Sequence, residues 1–440
     1  MSNAPIPSTP SAILPPRSPS TPSTPSTPSS TSSTSSATAP PTTDSSARVP
    51  YPSPRSGCPF APAPAYEAAR DLPPSQVELY DGRLAWLITR HADARIVLSD
   101  SRFSADGRTP GFPLINERMK YLLKGEPSFI RMDAPEHTRL RKHVTSWFTN
   151  RRVQQLRPRI QEIVDERIDL IEARGAAELI ADFALPIPSL VICEILGVPY
   201  EDHDFFEQAS QAILRWNVSQ AETEKSWAAL QDYLVALTDL KRKEPDDRIV
   251  SHLGARDDLT TAQVASISRT LLVAGHDTTA ATIGLAVAAL LREPEKLDRL
   301  KADPELYPEA AEELLRYLAP VGGVGLGRAA VEDVDVNGTV IRAGEGALVV
   351  LPAANRDAAV WPDAAELLLE GERESGGSHM TFGHGPHLCL GAPLARLEFV
   401  IALETLFRRL PGLRLAVPFE ELGFRGDASV YGLQELPVRW

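Results

Sequence analysis

Cysteine is scarce, with three in 440 residues, at positions 58, 193 and 389. Three cannot form a disulfide framework or a four-ligand zinc site. Cys58 and Cys193 are unpatterned and read as free thiols of a reducing cytosol. Positive charge is also short: the chain carries a net −13 with no basic stripe, which argues against nucleic acid as a partner. Large aliphatic side chains are almost missing from the first 56 residues, which are almost wholly Pro, Ser, Thr and Ala, with Ser-Thr-Pro repeated over 20–28. Such a stretch buries too little surface to offset its ordering entropy, so residues 1–57 are expected to be a disordered tail. It lacks the basic start and apolar core of a secretory signal. Nothing in it approaches the roughly 20 apolar residues of a membrane span. No membrane anchor is expected, and the expected location is the cytoplasm. No repeat of 20–50 residues appears, which excludes a solenoid.

Residues 58–440 are globular throughout and predict a single domain. Helical spacing of apolar residues dominates, over 153–173, 183–196, 222–243, 259–292 and 310–318. Strand-like alternation is brief. One hairpin is expected around Asp81-Gly82, another around Asn337-Gly338, and a short strand over 347–351. The expected fold class is mainly α with small β-sheets.

One cysteine stands in a distinctive setting, Phe382-Gly383-His384-Gly385-Pro386-His387-Leu388-Cys389-Leu390-Gly391. Apolar residues at helical spacing follow, from Leu390 through Leu394, Leu397 and Ile401. Cys389 is therefore expected at a helix N-terminus, where free N–H groups and the dipole favour thiolate. The glycines are expected to let something large and flat approach the backbone. A lone thiolate in such a loop suits heme iron.

This segment resembles the ligand loop of the cytochrome P-450 heme-thiolate monooxygenases, matching all six fixed positions of Phe-Gly-x-Gly-x-His-x-Cys-x-Gly. Chance would give that with a probability on the order of 10⁻⁶ in a chain this long. The resemblance implies the triangular-prism fold, heme b (iron protoporphyrin IX) and Cys389 as the iron ligand.

Thr260-x-x-Gln263 reads as a capping box and Pro294 as a stop, framing a helix roughly 48 Å long. It is apolar on most faces, yet its middle reads Ala274-Gly275-His276-Asp277-Thr278-Thr279. Polar groups in a buried helix are costly unless paired. Thr278 can satisfy itself on the carbonyl of Ala274, which is the plain structural reading. The resemblance gives a functional one, in which Asp277 relays protons and Thr278 hydrogen-bonds the oxygen to be cleaved. Gly275 is expected to open a groove over the iron.

Glu313 and Arg316 lie three apart on one helix face. By resemblance they form a buried pair bracing the ligand loop, usually completed by a second arginine from a Phe-Asp-x-x-Arg segment. Here that stretch reads Leu367-Leu368-Leu369-Glu370-Gly371, the match fails, and Arg373 is the candidate. The family's heme-contacting positions fall on His137, Arg141, Arg328, His379 and Phe382, the first four as propionate partners. Gly322-Gly323-Val324-Gly325-Leu326-Gly327 is no phosphate loop, because no Lys-Ser/Thr follows and it opens no helix after a strand.

The implied activity is insertion of one atom of O₂ into a small to medium organic substrate, by hydroxylation or epoxidation. No flavin or nicotinamide domain is present, so electrons are expected from a ferredoxin and ferredoxin reductase, docking on basic residues such as Arg139, Lys142, Arg408 and Arg409. A monomer is expected. Peroxygenase or nitric oxide reductase chemistry on the same fold, or a non-enzymatic heme sensor, stay open as alternatives. The substrate-facing segments, around 103–122 and 205–227, follow no transferable code.

Overall fold

The longest apolar stretch forms one helix, Thr261–Leu291. Its start is the expected capping box: the Thr260 hydroxyl accepts from the Gln263 N–H, and the Gln263 side chain accepts from the Thr260 N–H. It ends before Pro294, which opens the next helix, Pro294–Ala302, where a missing donor costs nothing. The long helix is apolar enough to cross a membrane, but 78% of its most apolar window is buried inside the protein. It is the axis of the core. Helices Pro186–Leu196, Gln220–Lys243 and Ala392–Arg409 pack directly on it.

The computed structural model describes residues 49–440 except 124, 125 and 370–377. Beside the helices stands a five-stranded sheet, in the order Ser75–Glu78, Leu84–Ile88, Gly346–Val349, Leu326–Ala330, Phe103–Ser104. The first two strands form the hairpin expected at Asp81-Gly82, with Gly82 left-handed at φ 81°. Val334–Val336 and Thr339–Ile341 pair around Asn337-Gly338, both at positive φ as a two-residue hairpin turn demands. A further hairpin, Phe424–Arg425 with Gly432–Leu433, was not legible, because two residues per strand carry no alternation.

The boundary expected between residues 57 and 58 falls inside the packed body. Tyr51 donates to the Val324 carbonyl at 2.7 Å, and the Tyr66 hydroxyl accepts from the Ser53 N–H at 2.9 Å. The Arg55 guanidinium lies 3.8 Å from the centre of the Tyr431 ring. One tyrosine and one arginine anchor a segment whose average composition reads as unstructured.

Helix Tyr307–Leu318 carries the brace. Arg316 donates twice to Glu313, both at 2.7 Å, and to the carbonyls of Asn355, Ala364 and Glu366, each at 2.9 Å. Glu313 also accepts from the Leu368 N–H at 2.9 Å. Arg373 lies outside the described residues. Asn355 extends the brace to the cysteine loop: its side chain accepts from the Met380 N–H and donates to the Thr381 hydroxyl.

Two outcomes follow from these contacts. Glu313→Gln leaves the Arg316 cation buried without its counter-charge and should cost about 3–5 kcal/mol, read as a lower urea midpoint. A chain starting at residue 57 should lose ~2 kcal/mol relative to one starting at residue 49, through the missing Tyr51 and Arg55 contacts. Equal thermal midpoints for the two truncations would show those contacts to be idle.

Candidate functional site

The cysteine loop closes on itself: the Cys389 N–H donates to the Phe382 carbonyl at 2.8 Å, and helix Ala392–Arg409 begins three residues later. Gly383 and Gly385 sit at φ 76° and 72°, where a side chain is strained. The purpose of Gly385 differs from the expectation. A Cβ on Gly385 would lie 2.5 Å from the Leu98 carbonyl oxygen, so this glycine seats the loop against helix His91–Ser99. Gly391 meets nothing within 4 Å and faces open space.

Solvent reaches Cys389, yet its thiol is desolvated by the protein around it. The two facts together describe a recess. Burial pushes the thiol pKa up, against the amides of Gly391 and Ala392 and the cations of Arg141 and Arg396, which act the other way. The helix end alone does not give the thiolate that the sequence suggested. A metal cation in the recess would.

Cationic groups converge beside the thiol. His137 stacks on His387 with ring centres 4.0 Å apart. Burial holds His387 down to about 3, helped by Arg328, His137, Arg141 and Arg131 around it. His137 is lowered by burial and by Arg141. Burial takes Arg328 down to about 10 and lowers Arg131 and Arg141. None of these three arginines makes an ion pair among the described residues. Nε2 of His137 and Nδ1 of His387 are buried without a hydrogen-bond partner. Arg141 is partly committed, donating to the Leu388 carbonyl at 2.6 Å. Arg328 donates to the Gly327 carbonyl at 2.8 Å.

His379 does not join them. Its Nδ1 accepts from the Thr381 N–H, and its Nε2 meets the Glu312 carboxylate at 3.2 Å. Glu312 also receives Arg396 at 2.6 and 3.0 Å. Burial would raise Glu312, but bonds from His379 and Arg396 take it down to about 2. Arg396 in turn covers the Phe382 ring at 4.5 Å. His379 is thus a frame residue, and His387 holds the place in the pocket that His379 was expected to take.

In the middle of the central helix, Ala274 is exposed and Val273, Gly275 and Thr278 are partly exposed, among neighbours that are buried. That face is left uncovered by neighbouring side chains. Gly275 is not what opens it: a Cβ there would strike Ile192 at 2.8 Å, so this glycine lets helix Pro186–Leu196 pack close. Ala274 is the open position, and Thr278, one turn on, donates to its carbonyl at 3.0 Å. Asp277, about 100° around the helix, turns away from Thr278 toward Arg425, 3.4 Å distant.

Across the outer side of the fold, Arg118 ties separate segments. It donates to the Ala212 carbonyl at 2.8 Å, to the Thr223 hydroxyl at 2.5 Å and to the Arg215 carbonyl. Sequence reasoning missed Arg131, His387 and Arg425 as site residues. His387 was inside the quoted motif and could have been found. Arg131 and Arg425 carry no spacing signal, since only folding brings them in.

Comparison with known proteins agrees with this geometry. The cytochrome P450 family model matches residues 305–411, the brace helix through the cysteine helix. Cytochrome P450-SU2 of Streptomyces griseolus is 47% identical over 407 residues, covering 92% of this chain and 98% of that protein. Pentalenic acid synthase of Streptomyces avermitilis is 47% identical over 408 residues, 91% and 99% of the two chains. The crystal structure of cytochrome P450 MoxA from Nonomuraea recticatena matches with a TM-score of 0.80 and 44% identity, covering 87% of this chain and 96% of that one. A lone cysteine in a desolvated recess, a buried brace and relatives matched end to end place this chain in the cytochrome P450 family, as an oxidoreductase of the monooxygenase type.

Proposed function

We propose that the recess holds heme b on Cys389 and that the enzyme inserts one atom of O₂ into a small to medium organic molecule. The observation that carries this reading is the pairing of one desolvated thiol with a cationic pocket whose arginines make no ion pair among the described residues, Asp133 acting on His137 and Arg328 only from a distance. Such a pocket suits a flat dianion. The orphaned nitrogens of His137 and His387, with Arg131 and Arg328, are donors that two propionates would satisfy. Arg141 joins them from the cysteine side. The residues fit the group.

Bound heme supplies the activation of dioxygen. The rest falls to this chain. Cys389 is the single thiolate ligand, held by the Phe382 carbonyl and the helix start. Thr278 stands on the open face, and its hydroxyl can exchange the Ala274 carbonyl for a reacting oxygen. Asp277, buried beside that face and turned toward Arg425, is the acid that supplies protons toward it. An acid and an alcohol in this arrangement favour monooxygenation over peroxide-driven or nitric oxide chemistry, neither of which needs a proton relay here.

Electrons would come from a separate ferredoxin and its reductase. Arg139, Lys142, His143, His252 and Arg256 line one cleft with Asp258; Glu136 pairs with Arg139 and Asp258 with Arg256, but basic side chains outnumber acids there, as an acidic partner would require. Arg409 is unsuited, because Asp165, Asp169 and Glu172 already neutralise it. Free thiols at Cys58 and Cys193 suit the reducing cytoplasm. Relatives named vitamin D3 dihydroxylase and nocardicin C N-oxygenase support a natural product or a xenobiotic of similar size as substrate.

Reduced protein under carbon monoxide should show the red-shifted Soret band of thiolate ligation, and Cys389→His should abolish it. A Cys389→His protein that kept the band would refute the ligand assignment. Thr278→Ala should uncouple turnover, with hydrogen peroxide rising and product per NADH falling about tenfold, a part of the 10²–10⁴ that a positioned proton-transfer group contributes. The assay needs a substrate without a hydroxyl near the oxidised carbon, and wild-type coupling there would remove Thr278 from the mechanism.

A further inference from the structure

Asp277 and its cation come from distant parts of the chain. The carboxylate of Asp277 lies 3.4 Å from Nη1 of Arg425, 148 residues on, with the two side chains only 9% and 12% exposed. Among the described residues, Arg425 is the one ion-pair partner Asp277 has. The contact is longer than the 2.7–2.9 Å or so of a tight charge-assisted bond. The carboxylate is therefore held by charge without being locked in place.

The chain around Arg425 is built for this reach. Arg425 faces Gly432 across the two-residue strand pair. A Cβ on Gly432 would stand 2.8 Å from Nη2 of Arg425 and 3.1 Å from the Cβ of Ala281. The missing side chain leaves the slot through which the guanidinium crosses from hairpin to helix. Nε of Arg425 is buried with no partner, so the side chain has not settled into a network of its own.

Strands this short do not hold a hairpin alone. Its turn is clasped instead by the loop after helix His203–Leu214. The Trp216 N–H donates to the Asp427 carbonyl at 2.8 Å, the Ser429 N–H to the Leu214 carbonyl at 3.0 Å, and the Trp216 indole to the Ser429 hydroxyl at 3.3 Å. Val430 bridges to Val321 behind it. The loop after helix His203–Leu214 thus shares one short element with the cation that faces Asp277.

We propose that Arg425 is a positioning residue for oxygen activation: as the counter-charge of Asp277, delivered through the Gly432 slot, it holds the proton-carrying carboxylate in the buried layer beside the open face of the central helix. The proposal rests on the reading of Asp277 as the proton carrier. It adds a residue on a strand with no sequence signature, and a route by which the clasped loop reaches the relay.

The test uses the full-length heme-loaded enzyme with a surrogate ferredoxin system. Arg425→Gln, Arg425→Lys, Asp277→Asn and the Arg425→Gln/Asp277→Asn double variant are compared by turnover in H₂O and D₂O, spectral substrate Kd, and the carbon monoxide stretching frequency of the reduced complex. Arg425→Gln should slow turnover about tenfold, part of the 10²–10⁴ that a positioned proton donor contributes. Its solvent isotope effect should grow, its carbon monoxide stretch should shift, and its substrate Kd should stay within about twofold. Arg425→Lys should recover at least half the rate. The double variant should be no slower than Asp277→Asn, because both act through one carboxylate.

Additive losses in the double variant, or a slower Arg425→Gln with an unchanged isotope effect and carbon monoxide stretch, would overturn the proposal and leave Arg425 structural. A slow Asp277→Asn beside a normal Arg425→Gln would overturn it alone. A normal Asp277→Asn would remove the reading of Asp277 and this proposal with it. Should Arg425→Gln fail to fold, Gly432→Ala keeps both charges, displaces the guanidinium, and is judged by the same outcomes.

Discussion

A guanidinium has five N–H donors, and burying it is tolerable only when all of them find acceptors. Arg316 finds five: two oxygens of Glu313 and the carbonyls of Asn355, Ala364 and Glu366. The planar fork turns that need into geometry. A helix and two loops must meet at set distances, or a charge is stranded in the core. Asn355 then passes the constraint to Met380 and Thr381, and the cysteine loop hangs from them. The position of Cys389 is in this sense a consequence of where Arg316 can be satisfied.

The active region is the opposite case. His137, His387, Arg131 and Arg328 share a desolvated space, and two of their nitrogens have no partner. Interiors seldom leave buried polar atoms unpaired. The frame around it is held by paired groups: Glu312 with His379 and Arg396, Glu313 with Arg316, and Asn355 with the brace helix and the cysteine loop. Paired groups set the walls, and the unpaired ones are confined between them.

Local chemistry was legible in the sequence and long-range geometry was not. The capping box at Thr260, the turns at Asp81-Gly82 and Asn337-Gly338, and the Glu313–Arg316 pair depend on neighbours within a few positions, and each formed as spacing dictates. Glycine was read less well. Spacing shows where a side chain is missing but not what fills the room, and at Gly275 and Gly385 it is filled by Ile192 and by the Leu98 carbonyl. His379 and His387 differ by eight positions in one loop. Only the fold shows that Glu312 takes the first and leaves the second in the pocket. The segment at 49–57 was read by its composition, although two side chains decide its fate.

Arg118 closes the outer face by holding two carbonyls and a hydroxyl, none of which bears a formal charge. The basic cleft at Arg139, Lys142 and Arg256 is suited to charged partners and lies open to solvent ions. Dissolved salt screens the second kind of attraction far more than the first. Ionic strength therefore weakens whatever attraction the cleft exerts on a charged molecule and leaves the hold of Arg118 on its three segments almost untouched.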